Sequence, residues 1–155
     1  MKLNLYRDKN NTPPHVDIYY AEMQPVIQQI MEVVAEKPVE LVSKYEDEMI
    51  YIPIKDVYYL DCVDKKVFAY TKDAVYPLKE TLAYYEEHLV HCGYIRVSKS
   101  SILNIYRIKE IKSDMNMRIC ATFDNSEKMY INRSYKAAFM KYLSEKRGRA
   151  KHEGK

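Results

Sequence analysis

The chain has 155 residues, 47% of them apolar, with 3 glycines and 6 prolines, which fits one domain, or one domain plus a small appended element, and argues against a disordered or repetitive chain. No run reaches the roughly 18 apolar residues of a membrane span, and residues 1–8 lack the apolar stretch of a signal peptide, so a cytoplasmic protein is expected. The net charge of +3 conceals a gradient: −2 over residues 1–43, −4 over 44–93 and +9 over 94–155, with +5 remaining over 94–145, so the second half is a candidate polyanion surface.

The first residues read as strand, turn, strand, helix. Leu3, Leu5 and the stem of Arg7 alternate with polar residues, Asn10 to Pro14 signals a turn, and Val16, Ile18 and Tyr20 alternate again. From Glu22, apolar residues at Val26, Ile27, Ile30, Met31, Val33 and Val34 keep helical spacing until Pro38. This leader, residues 1–38, is too small to fold alone and is expected to pack on the rest of the chain or on a second copy.

Strand patterns then dominate. Val39 to Tyr45 and Met49 to Ile52 flank an acidic turn, and Val57 to Val63 reads as a more buried strand. Asp64-Lys65-Lys66 is a tight hairpin into Val67 to Thr71, and Ala74 to Leu78 follows. The spacing predicts a helix over 79–89, with Leu78, Leu82, Tyr85 and Leu89 on one face. Tyr94 to Val97 leads through a polar step, Ser98 to Ser101, into Ile102 to Asn104. Strands at 108–111, 117–123 and 128–131 precede a last helix that Asn132 or Ser134 could cap and that packs through Tyr135, Ala138, Phe139 and Tyr142. Eight to ten short strands and three helices make the fold predominantly β, of the α+β kind. The 16 tyrosines against 3 phenylalanines agree, because tyrosine suits strands and interfaces. Residues 146–155 read as a basic flexible tail.

Catalytic chemistry finds little support. Three glycines leave no room for a phosphate loop, and no Ser or Cys stands in a nucleophile setting, so no enzyme, no cofactor and no small-molecule substrate are expected. His88, His91 and Cys92 could offer three zinc ligands, but a fourth is missing nearby and a helix C-terminus favours histidine anyway, so no metal site is expected. Cys62, Cys92 and Cys120 are odd in number and widely spaced, as for reduced thiols. Basic residues, by contrast, recur at turns and strand edges: Lys65 and Lys66, Arg96 and Lys99, Arg107 and Lys109, Arg133 and Lys136. Such side chains on one face would neutralise phosphates, and with few helices any groove reading falls to loops or a sheet.

The stretch Arg96-Val97-Ser98-Lys99-Ser100-Ser101-Ile102-Leu103-Asn104-Ile105-Tyr106-Arg107-Ile108 resembles the signature of the LytTR DNA-binding domain. Asp56 to Asp61, Leu78 to Leu89 and Met129 to Tyr135 resemble its early strand, its mid-domain helix and its closing strand-to-helix turn, so the likeness covers residues 39–145. The resemblance implies a multi-sheet β domain with short helices, preceded here by the strand-strand-helix leader, whose loops enter successive major grooves of duplex DNA and bend it. The implied contacts are Lys65 and Lys66, then Lys99 and Ser100, then Arg133 and Ser134. Asn132 departs from the family's more usual serine. Asn104 and Ser100 could contact DNA or satisfy loop backbone, and both stay open here. Residues 1–38 do not resemble a phosphorylated receiver domain. The expectation is a bacterial transcription regulator acting as a homodimer on repeated half-sites, with a membrane protein as one candidate regulator. The competing readings are a protein-interaction module without DNA contact and a single-strand binder using exposed tyrosines.

Overall fold

The structure, a computed structural model, describes residues 4, 17–34 and 39–148. The chain divides between Val39 and Glu40. On the first side, α1 (Pro25–Val34) forms as the spacing predicts, with proline in the first turn, where a missing N–H costs nothing. The Gln24 carbonyl accepts from the Ile27 and Gln28 amides at 2.9 and 3.2 Å. Ile27 is buried, while Val26, Met31, Val33 and Val34 are exposed. The expected strand through Ile18 and Tyr20 does not form: residues 17–20 are irregular, and no described strand pairs with them. Alternation makes a strand only where a ladder partner and a core exist, and Tyr19 and Tyr20 are exposed. The expected strand at Leu3 to Arg7, the turn at 10–14 and residues 35–38 of the expected helix lie outside the described residues.

On the second side run β1 (Glu40–Tyr45), β2 (Glu48–Pro53), β3 (Val57–Val63), β4 (Lys66–Thr71), β5 (Val75–Leu78), α2 (Leu82–Leu89), β6 (Tyr94–Arg96), β7 (Ser101–Asn104), β8 (Ile108–Ser113), β9 (Ile119–Phe123), β10 (Lys128–Ile131) and α3 (Lys136–Leu143). They build three antiparallel sheets: the β1–β2 hairpin, a central sheet in the order β5-β4-β3-β7-β6, and a smaller one in the order β10-β9-β8. The expected predominance of strand over helix holds.

The central sheet carries a core on each face. Val57, Leu60 and Ile102 join Leu41, Ile52, Leu82, Tyr85 and Leu89 on one side. Tyr58 and Leu103 join Phe123, Ile131, Phe139 and Tyr142 on the other. Neighbouring residues of β3 and β7 thus serve opposite cores, as the period of two dictates. Tyrosines weld the layers: Tyr59 stacks between Tyr70 of β4 at 4.4 Å and Phe123 of β9 at 5.9 Å.

Three boundaries differ from expectation. The middle helix starts at Leu82 rather than Lys79, because the Thr81 hydroxyl caps it by accepting from the Tyr84 amide at 3.2 Å. Neither Asn132 nor Ser134 caps the last helix through its side chain: a 3-10 turn over Arg133–Tyr135 leads into α3 instead. Ala138 is exposed, so Phe139 and Tyr142 carry the packing. Residues 144–148 continue α3 as a π turn. There Arg147, expected in a free tail, donates Nη1 to the carbonyls of Ile105 and Ile108, each at 2.9 Å. Residues 149–155 lie outside the described residues.

One polar cluster joins the two halves of this unit where β3 begins. The Tyr58 hydroxyl donates to the Asp124 carboxylate. Arg107 donates to the other Asp124 oxygen at 3.0 Å and to the Lys55 carbonyl at 2.7 Å, and lies over the Tyr58 ring at 5.0 Å. The Tyr58 bond, together with Arg107 and the charge of Lys72, holds the Asp124 carboxyl below its ordinary range against the opposing effect of burial. A carboxyl depressed in the folded state contributes stability that is present above its unfolded pKa of about 4 and lost as pH falls through the folded value. Melting temperature measured from neutral pH down through that range should therefore fall less steeply for Asp124→Asn than for the native protein. Superimposable pH profiles would show that the carboxylate does not couple to folding.

Candidate nucleic-acid interface

The antiparallel strands give this unit two ends. At one end β3 stops and β4 starts, β6 stops and β7 starts, β8 stops and β9 starts, and β10 runs into α3. Short hydrogen bonds tie these turns together. The Cys62 amide, at the end of β3, donates to the Ser100 carbonyl at 2.8 Å, and the Asn132 amide donates to the Val97 carbonyl at 2.9 Å. The Ser101 hydroxyl donates to the Asp61 carboxylate at 2.8 Å, which accounts for the acidic residue late in β3. Turns centred on residues 65, 99 and 133 therefore sit side by side.

Each turn presents cations. Asp64 and Lys65 form a two-residue hairpin with φ of 51° and 65°, the left-handed pair that a tight antiparallel turn requires. Lysine tolerates that region poorly, yet it places Lys65 and Lys66 at the exposed tip. Lys99 is exposed at the crest of the β6–β7 loop. Arg133 and Ser134 are exposed in the turn before α3, beside Asn132, and Lys136 is half-buried at the first position of α3. Among the described residues Lys65, Lys66, Lys99 and Arg133 make no ion pair.

Arg96, Asn104 and Arg107 are engaged inside the protein. Arg96 donates to the Ser98 carbonyl at 2.8 Å, to the Lys99 carbonyl and to Glu86 at 2.8 Å, so it shapes the loop that lifts Lys99. Ser100 belongs to the same loop, its amide donating to the Ser98 hydroxyl at 3.2 Å. Asn104 is 2% exposed: its Nδ2 donates to the Val57 carbonyl at 2.9 Å and its Oδ1 accepts from the Tyr106 amide at 3.0 Å. Asn104 thus satisfies two backbone groups of the fold. Arg107 is engaged at the opposite end, as described. His88 stacks on Tyr84 with ring centroids 3.9 Å apart, and Nδ1 lies 2.8 Å from the Tyr84 carbonyl oxygen. Among the described residues no three His, Cys, Asp or Glu side chains are arranged to hold a metal ion, and no helix is long and apolar enough to cross a membrane.

Sequence reasoning passed over Asn116 and Arg118. They line an open cleft with Asn132, Arg133 and Ser134. The available signal was Asp114 four residues before Arg118, a pairing that closes the β8–β9 turn at 2.9 Å.

The chain is similar to known proteins over most of its length. Residues 47–144 match the family described as LytTr DNA-binding domain. A Staphylococcus aureus protein (strain bovine RF122 / ET3-1) named as an uncharacterized HTH-type transcriptional regulator is 32% identical over 93% of this chain and 99% of its own length. A relative with the same description from strain NCTC 8325 / PS 47 is 31% identical over the same shares. A solved LytTr DNA-binding domain from Bacillus cereus superposes with a TM-score of 0.62 at 30% identity, covering 67% of this chain and 95% of that one.

The division between loop cations and scaffold residues is measurable by denaturant unfolding. Asn104→Ala leaves a buried carbonyl and amide without their partner and should cost about 1–3 kcal/mol. Lys99→Ala, at an exposed position, should stay within about 0.5 kcal/mol of the native protein. Equal costs would contradict the division.

Proposed function

The chain belongs to the LytTr DNA-binding domain family, and from that premise we propose that it is a transcription regulator that reads duplex DNA with three loops. The family is one of DNA-binding proteins, not enzymes. One observation carries the reading: turns far apart in sequence are hydrogen-bonded into one end of the domain, and each offers cations that make no ion pair among the described residues. Lys65 and Lys66, Lys99 with Ser100, and Arg133 with Ser134 supply phosphate and base contacts, with Asn132 and Lys136 at the rim. Arg96 and Arg107 act through the shape they give the loop and the scaffold. The protein works in the cytoplasm as a dimer on repeated half-sites, the leader helix contributing to packing or self-association through its exposed valines and Met31. A membrane-protein regulator fits the same scheme.

A protein-contact role has one observation of its own. Val42, Met49 and Tyr51 are exposed on the outward face of the β1–β2 hairpin, with Tyr45 exposed at its end. That face carries none of the loop cations, so the two roles separate by mutation.

Binding to duplex sites selected from a random pool should weaken steeply with salt. About six neutralised phosphates correspond to a log–log slope near −5. Lys99→Ala should relax preference at one or two base positions, since a direct base contact is worth about 1–3 kcal/mol of discrimination. Salt-insensitive binding, or none at low salt, would favour the protein-contact role. Tighter binding to single strands would favour stacking on tyrosines.

A further inference from the structure

The β8–β9 turn is built with more care than a connecting loop needs. The Asp114 carboxylate accepts from the amides of Asn116 and Arg118, both at 2.9 Å, and from the Arg118 guanidinium at 3.0 and 2.9 Å. Backbone bonds from Asp114 to the Arg118 carbonyl and from Met117 to the Asp114 carbonyl close it, with Met117 at φ 62°. Arg118 lies over the Tyr130 ring at 4.5 Å, which anchors the turn to β10. What this rigid turn displays is apolar: Met115 is 99% exposed and Met117 59% exposed. Met115 therefore stands almost wholly clear of the protein on a rigid tip, where it can reach a partner.

The position of the turn names that contact. It shares its cleft with Asn132, Arg133 and Ser134, so it is continuous with the face assigned to DNA, and no carboxylate lines the cleft. Lys112 and Arg118, paired with Glu110 and Asp114, flank the turn, and Arg133 supplies the unpaired guanidinium of the cleft. An apolar tip framed by amide and guanidinium groups has the chemistry of a wedge that enters the minor groove, partly unstacks a base step and bends the duplex.

We propose that the β8–β9 turn is a fourth DNA-contacting element, with Met115 inserted at a base step of the minor groove and Asn116 against a flanking phosphate, while Arg118 holds the turn in place. The inference rests on the DNA-binding reading above and adds to it a residue that bends rather than reads.

The test uses the full chain on a duplex selected by the native protein, with bend angle followed by energy transfer between end labels and affinity by titration. Met115→Ala removes a side chain that touches nothing in the protein, so its melting temperature should match the native value. It should bend the duplex less and bind about tenfold more weakly, as expected when the compensation for unstacking is lost. Base preference at the positions sensitive to Lys99→Ala should not change, and Met115→Leu should restore the bend. Native bending and affinity in Met115→Ala, alongside impaired binding in Lys99→Ala, would overturn the wedge and leave the DNA-binding reading standing. Failure of the native protein to bind duplex DNA at all would overturn both.

Discussion

The β6–β7 loop is a stretch of backbone that must find donors for its carbonyls while standing at the edge of the sheet. It finds them in its neighbours: Ser100 accepts from the end of β3, and Val97 accepts from the residue that opens the last turn. Buried or half-buried carbonyls rarely go without partners, so these two bonds are obligations of the fold rather than decoration. Their consequence is spatial. The β3–β4 hairpin, the crest at Lys99 and the turn at Arg133 cannot move independently, and three short cationic segments become one surface.

Behind that surface the molecule is stiff for a reason visible in its cores. β3 and β7 are buried on both faces, so any slip of one residue would exchange Leu60 for Tyr59 or Ile102 for Leu103 and misfit both cores together. At the far end Asn104, Tyr94 and Arg107 bond the carbonyls of residues 54, 55 and 57, which lock the entry to β3. The result is a division of labour between arginines and lysines. Arg96, Arg107, Arg118 and Arg147 each reach several acceptors inside the protein, as the planar guanidinium allows. The lysines at 65, 66 and 99, with Arg133, make no ion pair among the described residues.

Much of this was legible beforehand. Period-two alternation located β1 to β10 within a residue or two, and the i, i+4, i+7, i+11 spacing of Leu78, Leu82, Tyr85 and Leu89 marked a face that is buried throughout. The failures share a cause. Residues 17–20 alternate like a strand but join no described sheet, and strand pairing is not local. Asn104 and Arg107 looked like members of a basic, polar surface because groups that engage them lie up to 52 residues away in sequence. Arg147 looked like tail because its acceptors are carbonyls, which every sequence has everywhere. Conversely Arg118 escaped notice because its role depends on which turn closes beside which. Sequence spacing shows which side chains share an element; it does not show which are already spoken for.

The central claim is that one end of the domain, and not the other, meets the duplex. Backbone amide exchange, followed with and without duplex sites chosen from a random pool, tests it most directly. The account predicts protection clustered at residues 64–66, 97–101 and 131–136, with residues 53–56, 72–74 and 124–127 at the opposite end unchanged. Protection centred on those opposite turns, or confined to the β1–β2 hairpin, would contradict it.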